Sequence, residues 1–486
     1  MCSPIRYVVP VFLFLATAVA LLPAALAGRP CGTFAIVPTP DPGSSSNALI
    51  GVAAVGDGTA WAVGSQSGNG TTGLILYYDG AGWSEVDIPA EAEGISFGAI
   101  GNTPEGEVWM VGTRPHTVYE VEVIWLRARD GAIDRVDSFT QGGGPVDVSA
   151  SAADNVWGVS GGMWSTDQGG YANRFNGTDW ETMQLPAPYG YRNDPQGIFA
   201  AGPDDVWIVG LGGASKNHWE GYVQHWNGTS WERVPTPVDG QDLIFFESID
   251  GSGPDDIWIS GHVNYVEDLL LHWDGSSWSR HAGLARPEPL EDVAAPAPDN
   301  AWASPYSQTP GTPFFRFDGE SWVEGSVVEV PGAQTVNWRD LSRAGDCEVW
   351  SAGSYHDGTT HHTLVARMVG TALTVGRSAS EAGPDETHLS WTELPGIPAY
   401  DVVSGDLRTL LGAAGDYSAA TTECHADNHP GTEMTIVDAV AAGEAHWYLT
   451  RGESSSGPLS YDAGDAGQAA SRDTGIEAAV GACPPG

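Results

Sequence analysis

Nine residues of this chain are of types that bind ligands and lie outside its regular phrases: Trp164, Tyr189, Tyr191, Arg192, His218, Trp219, Tyr265, Tyr306 and His356. Aromatic rings flanked by a few His or Arg side chains stack on sugars or on peptide side chains. The competing role is local, with about half of them packing their own loops. Cys424-His425-Ala426-Asp427-Asn428-His429 resembles a metal site at first sight. A zinc centre needs four ligands at compatible spacing, and one Cys with two His falls short, so the stretch reads as a loop. Acidic pairs such as Asp204-Asp205 and Asp255-Asp256 have calcium-ligand chemistry. They recur at one place in a repeat without a compact calcium loop, which is what turn formation requires of them. No metal and no cofactor is expected, with calcium left open. Nucleophile elbows, phosphate loops and zincin motifs are missing from the sequence. Its 62 acidic residues single out no glycosidase carboxylate pair.

A repeat must position these residues. A phrase of acidic turn, apolar residue and Trp recurs at Trp61, Trp109, Trp157, Trp207, Trp258, Trp302 and Trp350, with spacings of 48, 48, 50, 51, 44 and 48. A second phrase, Asn/Asp-Gly-x-x-Trp, follows by 20 to 24 residues at Trp83, Trp180, Trp231, Trp278 and Trp322, with Ile133 and Leu373 in two degenerate copies. The Asn-Gly and Asp-Gly dipeptides predict type I′ hairpin turns, in which both central residues take positive φ. Each unit therefore reads as four strands, in the fourth unit at 197–200, 206–210, 221–226 and 231–235. Four-stranded units of this length stacked radially are the blades of a β-propeller. The fold class is all-β: a seven-bladed propeller, with six or eight blades as the margin, followed by a small β-sandwich. Because strands alternate in direction, the short acidic and Asn-Gly turns share one face. The long connections share the other face, and these hold the nine residues above together with Tyr119.

The ends of the array suggest how it closes. Thr33-Phe34-Ala35-Ile36-Val37-Pro38 matches Ser230-Trp231-Glu232-Arg233-Val234-Pro235, a fourth-strand phrase with no unit before it. It belongs in the last blade, as a clasp, although Gly370-Thr371-Ala372-Leu373-Thr374 competes for that place. Cys31 and Cys347 stand three residues before Phe34 and Trp350. Four exported cysteines allow three connectivities; the clasp selects Cys31–Cys347 and leaves Cys424–Cys483, with free or metal-bound thiols as the alternative.

Composition narrows the setting. Twenty basic against 62 acidic residues give a net charge of −42, which repels phosphate backbones and anionic lipid, so nucleic acid is excluded as a partner. Residues 1–27 read as a signal peptide: Arg6, an apolar run over 7–27, and Ala25-Leu26-Ala27 at the cleavage site. An uncleaved anchor is the rival. Cleavage leaves no membrane insertion and a compartment in which disulfides persist. Residues 28–375 are then the propeller, 376–386 a polar acidic linker, and 387–486 the sandwich.

In that last segment Leu389-Ser390-Trp391, Tyr400-Asp401-Val402, Gly405-Asp406-Leu407 and Tyr448-Leu449-Thr450-Arg451-Gly452, with Cys424, Arg472 and Cys483, resemble a fibronectin type III-like C-terminal module of secreted bacterial proteins. The resemblance covers 386–486 and implies an accessory role; the stretch 461–472 is more acidic than the pattern. The repeats resemble Trp-rich bacterial propellers, a kinship of structure only. The resulting expectation is a monomeric, exported, non-catalytic binding or adhesion protein, secreted or on a bacterial surface, that takes a glycan or protein ligand on its loop face. A secreted carbohydrate-active enzyme, hydrolase or lyase, is the alternative, and a structural envelope or matrix protein the second.

Overall fold

The computed structural model describes residues 33–378 except 57, 69, 118–119, 162–168, 190–191, 216–217, 242, 285–288, 299, 346–347 and 370–372. Beyond these it describes 386–391, 399–412, 417–431, 433–437, 446–454, 457–458, 476–477, 479 and 481–483. The expected signal peptide, Cys31, Cys347, Tyr119, Trp164 and Tyr191 lie outside the described residues. Among the described residues β-strand dominates, and helix is confined to short segments such as Leu407–Gly412.

The repeats fold into four-stranded antiparallel sheets, the fourth of them built from Arg192–Gly202, Asp205–Ser215, His218–Trp226 and Trp231–Val234. Equivalent sheets begin at Ser96–Asn102, Pro145–Ala152, Ile244–Gly253 and Leu290–Ala297. An eight-stranded sheet holds two further groups, one starting at Ser46–Val55 and one at Thr335–Gly345, joined by the single parallel pair Ser46 and His361. First strands touch in sequence order, and Thr335–Gly345 returns to touch Ser46–Val55. A cycle of twisted sheets whose first strands line the axis is a β-propeller.

Thr33–Ile36 pairs antiparallel with His361–Val369, in the sheet that holds Trp350, as the clasp requires. Asp41 secures the same strand, accepting from Thr363 N at 2.7 Å and meeting His362 Nδ1 at 2.7 Å. The described end of the competing phrase, Leu373 and Thr374, goes elsewhere: Leu373–Ser378 runs into the start of the expected linker and pairs with Glu386–Trp391.

The two Trp phrases meet between sheets. Trp83 stands edge-on to Trp350, Trp180 to Trp109, Trp231 to Trp157, Trp278 to Trp207 and Trp322 to Trp258, with centroids 5.2–5.8 Å apart. Phe34 takes that position against Trp302 at 5.4 Å, and Ile133 packs in the cluster around Trp61. In four repeats the acid or amide two residues before the first Trp is engaged as well. Asn155, Asp205, Asn300 and Glu348 accept from the indole N–H of Trp157, Trp207, Trp302 and Trp350 at 2.8–3.1 Å. A basic side chain from the third strand covers the indole: Arg174 over Trp157, Arg316 over Trp302, Arg367 over Trp350, and His225 stacked on Trp207. At these four positions one side chain therefore joins an indole and a base; Glu107 and Asp256 meet a base without the indole, Arg129 at 2.9 Å and His272 at 2.7 Å. Glu348→Ala would strand a buried indole N–H and Arg367, which lies 3.0 Å from Glu348. It is expected to lower stability by about 2 kcal/mol, measurable by urea unfolding; an unchanged midpoint would show that the contact is idle.

One hairpin meets the type I′ expectation: Asp130 and Gly131, with φ of 48° and 77°, join the paired Arg129 and Ala132. The turns that lead into the second Trp differ from it. Register places Phe175 opposite Trp180 and Trp226 opposite Trp231, so each loop has four residues. In these four-residue loops only the glycine takes positive φ, for example Gly177 at 92°. The preceding Asx accepts two backbone N–H groups, as Asn176 does from Thr178 and Asp179 at 3.0 and 2.9 Å. That side chain does what a second left-handed residue would otherwise do.

The C-terminal residues form two sheets. One pairs Leu373–Ser378, Glu386–Trp391 and Glu433–Val437; the other is ordered Thr421–His429, Ala399–Asp406, His446–Ser454, Gly457–Pro458. Leu389 and Ile436 of the first cluster with Tyr400 and Val402 of the second. Cys424 and Cys483 form a disulfide, as expected. The Cys-His stretch is strand rather than the expected loop, paired with Ala399–Asp406, and His425 Nε2 meets Ser404 Oγ at 2.7 Å.

Candidate functional site

Each first strand carries a bulge, and the repeat brings the bulges to one level of the axis. The bulged residues are Ile50, Gly98, Val146, Gln196, Glu247, Glu291 and Arg339. A bulge turns an extra side chain out of the ladder, here into a cavity of about 170 Å³ where first strands begin, on the long-connection side. One residue further, in the same cavity wall, lie buried Asp292 and half-buried Asp147 and Asp340. A wider cavity of about 570 Å³ opens toward the short acidic turns, lined by Ser149, Asp250, Ser342 and Arg343 among others.

The aspartates tie neighbouring sheets together. Asp147 accepts from Ile198 N at 2.8 Å, Asp340 from Val52 N at 2.6 Å, and Asp292 from Leu341 N. Asp250 accepts from Ala295 N at 2.9 Å and receives Arg343 Nε at 2.8 Å. Burial pushes the Asp147 carboxyl up to about 8, with the charges of Asp292 and Asp250 adding to it against two backbone N–H donors. Burial likewise raises Asp292 to about 6 and Asp340 well above the usual carboxylate range. The charge of Asp292 adds to the rise at Asp340. At the bulge level, burial raises Glu291 to about 7 against its ion pair with Arg339 at 3.0 Å, while Glu247 adds to the rise.

Beside this mouth is an aromatic group from two adjacent sheets. Tyr265 and Tyr306 are exposed, 56% and 47%, with ring centroids 6.3 Å apart. Beneath them His262 is fully buried, 4.3 Å from the Tyr265 ring and stacked on Phe245 at 4.8 Å. His262 Nδ1 accepts from Tyr265 N at 3.1 Å, so the neutral ring carries its proton on Nε2, 3.0 Å from Glu247 Oε1. Burial, then the charge of Glu247, raises the Tyr265 phenol.

No family model matches the chain, and no curated protein matches it. Among solved structures, YCF48 bound to D1 peptide is similar over 72% of this chain and 99% of its own, at 15% identity and a TM-score of 0.44. The β-propeller domain of the trilobed protease from Pyrococcus furiosus, described with an open velcro topology, is similar over 65% and 96%, at 8% identity and a TM-score of 0.41. A protein of unknown function from Dyadobacter fermentans DSM 18053 is similar over 69% and 97%, at 11% identity and a TM-score of 0.41. At such identities the likeness says nothing of a ligand.

Of the nine residues singled out by sequence, the structure brings together Tyr265 and Tyr306. Tyr189 packs its own surroundings: its hydroxyl donates to Gly221 O at 2.9 Å, and Arg233 lies over its ring at 4.8 Å. Burial lifts that phenol to about 12. His356 faces His361 at 4.6 Å in the last repeat sheet. Half-buried Trp219 accepts from Leu243 N through its carbonyl. Arg192 and His218 open their strands. Sequence reasoning missed His262, Glu247, Glu291 and the channel aspartates. Among the described residues no helix is long and apolar enough to cross a membrane.

Proposed function

We propose that this is an exported, non-catalytic binding protein: a seven-bladed propeller that takes a glycan or protein ligand on its long-connection face. The carrying observation is the exposed Tyr265 and Tyr306 pair, supported from below by buried His262 at the acidic mouth. Buried aromatics cost nothing to display, whereas two exposed rings held by an ordered histidine form a preorganised stacking surface. The seven-blade count is supported by the cycle of first strands. The tail acts as a fibronectin type III-like accessory module; its first, second and fifth strands share one sheet and the remaining four the other. Residues 1–27 direct export, and the place of action is outside a bacterial cell.

A second reading rests on Glu291. A carboxyl raised to about 7 beside Glu247 is suited to general-acid work on a glycosidic bond. Soluble-glycan and peptide arrays probed with the full secreted chain separate the two. The variant Tyr265→Ala/Tyr306→Ala is expected to lose about tenfold or more in binding with its melting temperature nearly unchanged. Retained binding would move the site off this face, and glycan turnover abolished by Glu291→Gln would establish the enzyme instead.

A further inference from the structure

Two independent kinds of outlier meet at this aromatic group. Among the described residues seven large hydrophobics are exposed: Ile36, Val323, Val327, Leu243, Tyr265, Val266 and Tyr306. The last four lie together, since Asn264 N donates to Leu243 O at 2.9 Å and Tyr265 faces Tyr306. Among the described residues five non-glycine residues have positive φ, and three of them, Leu243, Asn264 and Tyr265, belong to the same place. Left-handed backbone at a bulky residue is disfavoured, and contiguous exposed apolar area is unfavourable in a monomer. Both are found where a surface is shaped for a partner.

We propose that this patch docks a segment of a partner protein in which an apolar side chain stands next to Arg or Lys. The inference rests on the loop-face reading above and narrows its ligand. Leu243 and Val266 offer aliphatic surface, which a sugar has little use for, while the tyrosine faces and neighbouring carboxylates favour a cation. Glu247 acts on Tyr265 directly, Glu267 follows Val266 in the chain, and Glu291 lines the mouth. A second copy of this chain is a poor occupant, because each brings a charge of −42.

The test uses the full secreted chain and three capped hexapeptides in calorimetry: alternating Arg and Phe, alternating Arg and Ser, and alternating Gln and Phe. The Arg–Phe peptide is expected to bind at least about tenfold more tightly than either counterpart. Tyr265→Ala/Tyr306→Ala is expected to remove most of that difference; Val266→Ser serves in its place if the double variant melts early. Equal binding of Arg–Ser would mean diffuse attraction to an acidic protein, and the proposal falls. Equal binding of Gln–Phe that the tyrosine variant abolishes would sink the cationic partner while leaving the loop-face reading intact. Arg–Phe binding that no patch variant alters, or none below about 1 mM, overturns the proposal, and glycan binding lost in the tyrosine variant would assign the face to sugars.

Discussion

Phe34→Ala is expected to destabilise the propeller by about 3–5 kcal/mol, the largest effect of any single change considered for the ring. The side chain is 3% exposed, stacked on Phe314 at 4.5 Å and edge-on to Trp302 at 5.4 Å. It is also the main anchor of a four-residue strand that pairs with a single neighbour. Losing the ring leaves a cavity and loosens the closure of the last sheet together. Phe34→Trp reproduces the residue used at this position in five other units and is expected to cost less than about 1.5 kcal/mol. Urea unfolding of the two variants checks the pair. An alanine variant within about 0.5 kcal/mol of the parent would show that closure does not depend on the clasp.

Stability is expected to fall as pH rises from about 4 to 8, opposite to the trend set by salt-bridged carboxylates. Asp147, raised to about 8, and Asp292, raised to about 6, hold their protons more tightly folded than unfolded, where the value is near 3.8. The stability they contribute is complete below the unfolded value and is lost as pH rises through the folded one. For Asp147 alone the loss is on the order of a few kcal/mol. Asp147→Asn keeps an acceptor oxygen for one backbone N–H and removes the ionisation, so it should flatten the decline and raise the melting temperature at pH 8. Surface repulsion from the net charge contributes a similar slope, but salt screens it, whereas the buried channel is screened much less. Melting curves in 1 M salt at pH 5 and 8 separate the terms. A parent protein equally stable at both values would refute the channel's role.

What the chain discloses in advance depends on whether a position is repeated in kind. The Trp phrases recur because six junctions between sheets use the same edge-on contact, and Phe34 was recognisable because it aligns with Trp231. The channel carboxyls escape this logic. Their repeat position reads Gly51, Ala99, Asp147, Gly197, Ser248, Asp292 and Asp340, so nothing in residue type marks it. It becomes special only when the bulges align at one level of the axis. His262 and Glu247 were equally hidden, because a strand pairing brings them together and no spacing announces it. The turn geometry could have been read: a constant interval of five from the last third-strand aromatic to the second Trp leaves room for four loop residues, as from Phe175 to Trp180.

The pairing of Thr33–Ile36 with His361–Val369 sets an order on biogenesis. The segment made first must wait for the segment some 330 residues later before it has a partner. Until then both strands are open edges, each able to template hydrogen bonds with a neighbouring molecule. At high concentration the early segment of one copy can complete the late sheet of another with the same contacts, giving an exchanged dimer whose interface is the monomer's own seam. Delivery of the chain in an unfolded state, followed by folding where it is dilute, favours the intramolecular seam. Supplying residues 33–38 as a free peptide during refolding should compete for that edge and leave the ring unsealed.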